Sequence, residues 1–213
     1  MTFKDRKEAG KMLAEKLKNF ENTQTVVYAL PRGGVIVGHE IAKKLNLPLD
    51  LVITRKIGHQ FSPEYAICAI AEDGHRVCNK NEELEADTKW LNERFKEEQK
   101  EASRRRWVYL KNRPMLSPKN RTAIIVDDGI ATGLTIMLAI REIRHESPSK
   151  IIVAVPVAPL DAIEKIKNEV DEVVALDIDK DFAGAVGEYY EDFSEIEDDE
   201  VIKIMSNYNE PKR

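Results

Sequence analysis

Short runs of β-branched and aliphatic residues alternate along this chain with segments whose apolar residues recur at helical spacing. That alternation restricts the fold more than any other feature. Thr25–Leu30 (TVVYAL) reads as a buried strand, Val35–Leu45 as a helix and Asp50–Thr54 as a second strand. After an interruption the order resumes: Ala123–Val126 as strand, Leu134–Arg144 as helix, Ile151–Val155 as strand, Leu160–Asn168 as helix and Val173–Leu176 as strand. Ala9, Met12, Leu13, Leu17 and Phe20 mark a further amphipathic helix near residues 5–20. The expected class is α/β, an open and mostly parallel sheet with helices on both faces.

The interruption has its own character. Arg55–Pro63 reads as a polar loop punctuated by Gly and Pro, and Tyr65–Ala71 as an extended apolar run. Asp73-Gly74 forms a hairpin-type turn into Arg76–Cys78. Residues 82–112 are rich in Glu, Lys and Arg, with Leu84, Trp90, Leu91, Phe95, Trp107 and Leu110 among them. They predict one long helix or two, mostly solvated, closed by Pro114 and Pro118. Glu195–Glu200 reads as the capped start of a helix. The organisation expected is a single domain over 1–213, with a core of about 20–80 and 119–180 and a hood of about 81–118 and 181–213.

Composition narrows the function. The 213 residues carry 33 Lys and Arg against 38 Asp and Glu, a net charge of −5, which argues against a dedicated nucleic-acid binder. No apolar run is long enough to span a bilayer. Met1–Lys7 is charged, with no apolar stretch behind it, and predicts no signal peptide. The two cysteines, Cys68 and Cys78, have no close-paired spacing, so neither a zinc site nor a disulfide is expected and a cytoplasmic protein is.

The stretch that carries chemistry is Ile124–Thr135 (IIVDDGIATGLT). An apolar strand delivers two adjacent carboxylates, Asp127 and Asp128, at its C-terminal end, where open α/β sheets bind ligands. A loop of small residues then leads into a helix, offering backbone N–H groups and hydroxyls to an anion. Carboxylates beside a phosphate cradle must face something neutral or cationic, and sugar hydroxyls with Mg²⁺ meet that need. Taken separately, Asp-Asp-Gly is a common turn and Thr-Gly a common cap. Joined in this order at a strand end they point to a ribose phosphate.

This segment resembles the signature of type I phosphoribosyltransferases that binds 5-phosphoribosyl 1-pyrophosphate (PRPP): apolar strand, two acids, small loop, Thr-Gly-x-Thr. The resemblance implies that Asp127 and Asp128 contact the ribose hydroxyls and that Ala131, Thr132, Gly133, Leu134 and Thr135 wrap the 5′-phosphate. Leu30-Pro31-Arg32-Gly33-Gly34 resembles the family's pyrophosphate loop, with its unusual peptide, and Arg32 adds a guanidinium suited to phosphate. Arg55-Lys56 resembles the basic pair that opens the family's mobile catalytic loop; the plain alternative is two surface cations. His59, in that loop, is a weaker candidate. Arg55–Gly58, Pro63–Ile67, the helical insertion and Ala183–Phe193 are similar to a branch whose members are mostly uncharacterised. By resemblance the chain is a Mg²⁺-dependent pentosyltransferase of nucleotide and nucleoside metabolism. It would join PRPP to a nitrogenous acceptor, a nucleobase or other small molecule, and release pyrophosphate. No direct protein ligand is assigned to Mg²⁺, which PRPP would carry near Asp127 and Asp128. A PRPP-sensing regulator and a PRPP or nucleotide hydrolase are the rival readings. Neither a membrane nor a nucleic-acid partner is expected, and a homodimer is left open.

Two features depart from better-known branches. The 6-oxopurine enzymes usually carry an aspartate where this chain has Ala131, and a methyl group accepts no proton. The basic loop of orotate enzymes is not reproduced at Gly58-His59-Gln60. The acceptor side is left to Tyr189, Tyr190, Phe193 or one of Arg104–Arg106, each of which has a plain reading as core packing or solvated helix with Glu98 and Glu101 as ion partners. His39-Glu40 has no second His at metal-binding spacing, and His75 and His145 carry no signal.

Overall fold

The computed structural model of the chain describes residues 1–111 and 113–208. Residue 112 and residues 209–213, which the expected hood includes, lie outside the described residues. The elements in chain order are α1 (Arg6–Lys16), β1 (Thr25–Ala29), α2 (Gly33–Leu45), β2 (Leu49–Leu51), β3 (Thr54–His59), β4 (Ser62–Ala71), β5 (Arg76–Cys78), α3 (Lys80–Glu85), α4 (Thr88–Leu110), β6 (Thr122–Val126), α5 (Leu134–His145), β7 (Lys150–Pro159), α6 (Leu160–Lys167), β8 (Glu172–Asp179) and α7 (Asp198–Asn207).

Five strands form one sheet in the order β2-β1-β6-β7-β8, parallel throughout. Side chains alternate across its plane. Val27, Ala29, Ile124 and Val126 face α1, α2, α7 and the end of α4, through Leu13, Val37, Ile41, Leu110 and Val201. Val26, Tyr28, Ala123 and Ile125 face α5 and α6, through Ile136, Ile140, Ile143 and Ile163. The expected architecture is therefore present, with helices on both faces.

The second strand differs from its expectation. The parallel strand is only Leu49–Leu51, and Thr54 already opens a separate antiparallel sheet in the order β3-β4-β5. Arg55–Pro63 is thus a hairpin and not a loop. β4 shows as the apolar run Tyr65–Ala71, but β3 buries only Thr54 and Ile57, so no apolar run betrays it. A register shift at Gly58 lets the Pro63 carbonyl pass where a Cβ would stand 2.0 Å away. Residues 82–110 form two helices, as the second of the two expected forms. The helix expected from the acidic stretch starts at Asp198, after Glu197.

The cysteine expectation is also corrected. Cys68 on β4 and Cys78 on β5 are directly opposite in the ladder and are joined as a disulfide, with Cα atoms 4.0 Å apart. Cross-strand register, which sequence spacing does not reveal, brings them together. With both thiols paired, the cysteine count no longer argues for a reducing compartment. Among the described residues no helix is long and apolar enough to cross a membrane.

The disulfide closes a short loop between residues separated by 10 positions. Replacing both cysteines by alanine is expected to lower stability by about 2–3 kcal/mol in urea unfolding without reductant. Free thiols in the unfolded, unreduced protein, or equal unfolding midpoints for the two proteins, would contradict this.

Candidate active site

The carboxyl ends of β1 and β6 lie side by side, and the loops that leave them press together. Leu30 donates its N–H to the Val126 carbonyl at 2.9 Å, just before the two chains part. One loop is Pro31-Arg32, whose peptide bond is cis, and it enters α2 at Gly33. The other is Asp127–Gly133, which enters α5 at Leu134. A Cβ on Gly33 would stand 1.8 Å from Asp128 Oδ2, so only glycine permits this approach. The two sequence motifs are thus one packed unit.

Around this junction lies a cavity of about 580 Å³. Pro31, Arg32 and Gly33 line one side, and Asp127–Gly133 with Thr135 another. Arg55 and Lys56 of β3 face it from the small sheet, Arg105 from α4, and Gly184–Gly187 and Phe193 from the C-terminal segment. Neither α2 nor α5 has a side chain capping its first turn. Gly133, at φ 79°, occupies the cap position of α5. In α2 the Val35 N–H bonds the Arg32 carbonyl at 3.1 Å, and the other first-turn N–H groups of both helices have no side-chain partner, with the positive ends of both helix dipoles behind them.

The carboxylates are held tightly. Asp127 accepts the Asp128 N–H on Oδ1 at 2.9 Å. Arg6, on the first turn of α1, donates from Nε to Asp128 Oδ2 at 2.7 Å and from Nη1 to the Ser194 carbonyl at 2.9 Å. Its guanidinium lies 3.8 Å from the centre of the Phe193 ring. Burial raises the Asp127 carboxyl well above the usual range, and the neighbouring Asp128 charge adds to the rise. Burial raises Asp128 too, with Arg6 opposing it. Such a pair accommodates hydroxyls or a cation and disfavours a bare anion. As hard oxygen donors, Asp127 and Asp128 fit Mg²⁺.

The other candidates are placed as follows. Arg32 pairs with Glu195 and lies 3.7 Å from Glu197 and 3.9 Å from Asp198. Arg55 Nε donates to Glu98 at 2.8 Å. Ala131, Thr132, Gly133 and Thr135 line the cavity, whereas Leu134 packs with Ala69, Ala71 and Val77 of the small sheet. Of the rings offered for an acceptor, Phe193 lines the cavity and the tyrosines do not. Tyr189 is buried with its hydroxyl donated to Asp179 at 2.6 Å, and Tyr190 donates to the Asp128 carbonyl at 2.6 Å. Both rings pack in one cluster with Phe3 and Val157, so they support the site from behind. Among the arginines, Arg105 faces the cavity and pairs with Glu101, as Arg104 does, while Arg106 pairs with Glu72. Glu98 pairs with Arg94 and Arg55 instead. His59 accepts the Phe61 N–H and does not line the cavity.

Arg6 escapes the sequence reading. It stands in the run Lys4-Asp5-Arg6-Lys7, which looks like any solvated helix start, and its partner is 122 positions away. Gly184–Gly187 was legible only as part of a branch motif. Gly129 shows its role: a Cβ there would stand 2.4 Å from Val186.

The family model of the phosphoribosyl transferase domain matches residues 4–193. A Mycobacterium tuberculosis protein named "Putative phosphoribosyl transferase", found in the H37Rv and CDC 1551 strains, is 38% identical over 205 residues, or 95% of this chain. The chain spans about half the length of these curated relatives, 46%. The crystal structure of the protein TT1426 from Thermus thermophilus is 40% identical with a TM-score of 0.78, covering 96% of this chain and 98% of that one.

The carboxylate pair generates two expected outcomes. Its native pKa values lie above the ordinary value of 3.8, so the folded state binds more protons than the unfolded chain across that interval. Stability of the ligand-free protein should therefore fall as pH rises through the interval. Asp127→Asn should flatten this part of the denaturation profile, and an unchanged slope would refute the assignment. Arg6 and Asp128 side chains are only 9% and 16% exposed, so Arg6→Met should cost about 3 kcal/mol at neutral pH. The deficit should shrink on acidification, as Asp128 takes up a proton.

Proposed function

The chain belongs to the phosphoribosyl transferase family, and from that premise we propose that it is a pentosyltransferase that joins the ribose 5-phosphate of PRPP to a nitrogenous acceptor with release of pyrophosphate. The observation that carries this reading is the single cavity in which the Pro31–Gly33 loop, the Asp127–Asp128 pair, the Ala131–Thr135 loop and the Arg55-Lys56 pair converge. Each has the chemistry one part of PRPP needs.

On this reading the 5′-phosphate sits at the N-terminus of α5, on backbone N–H groups and the Thr132 and Thr135 hydroxyls. Asp127 and Asp128 orient the ribose hydroxyls, and their charge eases the positive charge that builds at C1. Pyrophosphate lies against the Arg32–Gly33 loop and the N-terminus of α2. Mg²⁺, when bound near Asp127 and Asp128, supplies neutralisation of pyrophosphate charge. An acceptor nitrogen attacks C1 as the C1–O bond to pyrophosphate breaks, and Arg55 and Lys56 take up charge on the leaving group. Phe193 and Arg105 face the remaining side, where the hood excludes water from the ribosyl cation. A nucleobase suits that space: Phe193 can stack on it, and Ala131 makes no demand on its edge.

The test is PRPP binding and turnover. PRPP with Mg²⁺ at about 100 times its Kd should stabilise the protein by about 2.7 kcal/mol, and Asp127→Asn with Asp128→Asn should remove most of that. Arg55→Ala and Lys56→Ala should lower kcat by about 10- to 100-fold while leaving KM for PRPP within about threefold. A screen of nucleobases for nucleotide and pyrophosphate formation identifies the acceptor. Pyrophosphate release with every base left unconsumed would make water the acceptor. Binding with neither product would favour a sensor.

A further inference from the structure

We propose that Asp73, His75 and Glu142 form a binding site for a first-row divalent transition cation of the zinc class, away from the cavity that holds the phosphate chemistry. The three residues come from two elements. Asp73 and His75 flank Gly74 in the turn between β4 and β5, and Glu142 lies on the last turns of α5. Their ligating atoms all lie within 4.8 Å of one another. His75 Nδ1 is 2.8 Å from Asp73 Oδ2 and 3.0 Å from Glu142 Oε1.

Two carboxylates converge here on one imidazole nitrogen. Carboxylates drawn to one point repel unless a positive charge lies between them, either a proton on His75 or a metal ion. The surroundings favour an organised site. Asp73 accepts the His75 N–H on Oδ1 at 3.0 Å, which fixes its carboxylate and leaves Oδ2 toward the imidazole. The His145 ring stacks on His75, with centroids 5.4 Å apart and planes 14° from parallel, and holds the plane of the ligating ring. Glu142 is half-buried, and desolvation with the Asp73 charge raises its carboxyl.

The donor set selects the ion. One imidazole nitrogen with two carboxylate oxygens suits zinc, cobalt or nickel, and leaves positions for water. Magnesium and calcium prefer all-oxygen sets, so this site differs in kind from the Asp127–Asp128 pair.

Position gives the ion a structural consequence. Leu134, at the start of α5, and Leu138 pack on Ala69, Ala71 and Val77 of the small sheet. A cation shared by the β4–β5 turn and Glu142 closes the other end of that contact. The small sheet carries Arg55 and Lys56, and α5 carries the phosphate loop, so the ion would tie together two walls of the cavity about 12 Å, or eight residues of helix rise, from Leu134.

The experiment uses the full chain, stripped with chelator and kept without reductant so that the Cys68–Cys78 pair stays closed. Titration with zinc chloride by calorimetry should show one saturable equivalent per chain and a raised Tm, with prior addition of magnesium chloride leaving the zinc titration unchanged. His75→Asn and Glu142→Gln should each weaken zinc at least about tenfold. His75 is exposed and Glu142 half-buried, so His75→Asn alone decides if Glu142→Gln fails to fold. Cobalt in place of zinc should give a visible d–d spectrum that His75→Asn changes. Absence of saturable zinc binding would leave a proton as the charge between the carboxylates. Zinc binding unaltered in both variants would place the ion elsewhere, with His39, His59 and His145 as the remaining imidazoles. Either result overturns the proposal. PRPP binding is read independently, so a failure here leaves the phosphoribosyl reading intact.

Discussion

The contact between Gly33 and Asp128 governs the geometry of the whole sheet edge. Parallel strands β1 and β6 end together, and their loops can share that end only if one of them has no side chain. Once Gly33 is seated, Asp128 Oδ2 is pressed toward α1, where Arg6 meets it. The Asp128 carbonyl is turned the other way, onto the Tyr190 hydroxyl. Four distant stretches of chain, around residues 6, 33, 128 and 190, are therefore interlocked. The N-terminus and the C-terminal segment are further joined by pairing of Phe3 with Tyr190, where Phe3 donates to the Tyr189 carbonyl at 2.8 Å and Glu191 donates to Phe3 at 2.8 Å.

That interlocking explains what the sequence disclosed. The segment from Ile124 to Thr135 was readable because strand, acids, loop and helix start are contiguous, and each has a local signature. The core strands β1, β6 and β7 were readable because burial on both faces makes continuous apolar runs. The extended run of β4 was readable too, but its partner β3 was not, because β3 buries only Thr54 and Ile57 and the turn between them follows a register shift. The Cys68–Cys78 bond depends on which residues oppose one another in β4 and β5, a matter of pairing and not of spacing. Arg6 was missed because its partner is 122 positions away; for Tyr190 the plain reading of core packing holds, but its bond to Asp128, 62 positions away, was not legible. Long-range convergence leaves no periodic trace.

The contact between the inserted helix and the C-terminal segment follows the same logic. Asp198, at the start of α7, accepts from Tyr109 at 2.5 Å and from Arg104 at 3.0 Å, both on α4. It also lies 3.9 Å from Arg32. The inserted helix and the C-terminal segment thus meet beside the Pro31–Gly33 loop, and Arg105 and Phe193 line the cavity from the two parts.

The arginines that line the cavity are already engaged by carboxylates, and on the proposed reading the strength of each engagement sets what the ligand must do. Glu195 and Glu197, which face Arg32, are 71% and 76% exposed. Pairs with such exposed carboxylates contribute about 0–1 kcal/mol, because water solvates the glutamates well when the pair opens. On the proposed reading, pyrophosphate can take Arg32 from them at little energetic loss, and the guanidinium is already oriented toward the loop. Arg55 is different. Its partner Glu98 is only 14% exposed and is shared with Arg94 on the same helix. Drawing Arg55 from Glu98 leaves a carboxylate with one cation where it had two, in a less solvated place. That loss is best offset when charge on the leaving group is largest. On the proposed reading the two arginines are thereby suited to different moments, Arg32 to the ground state and Arg55 to the transition state.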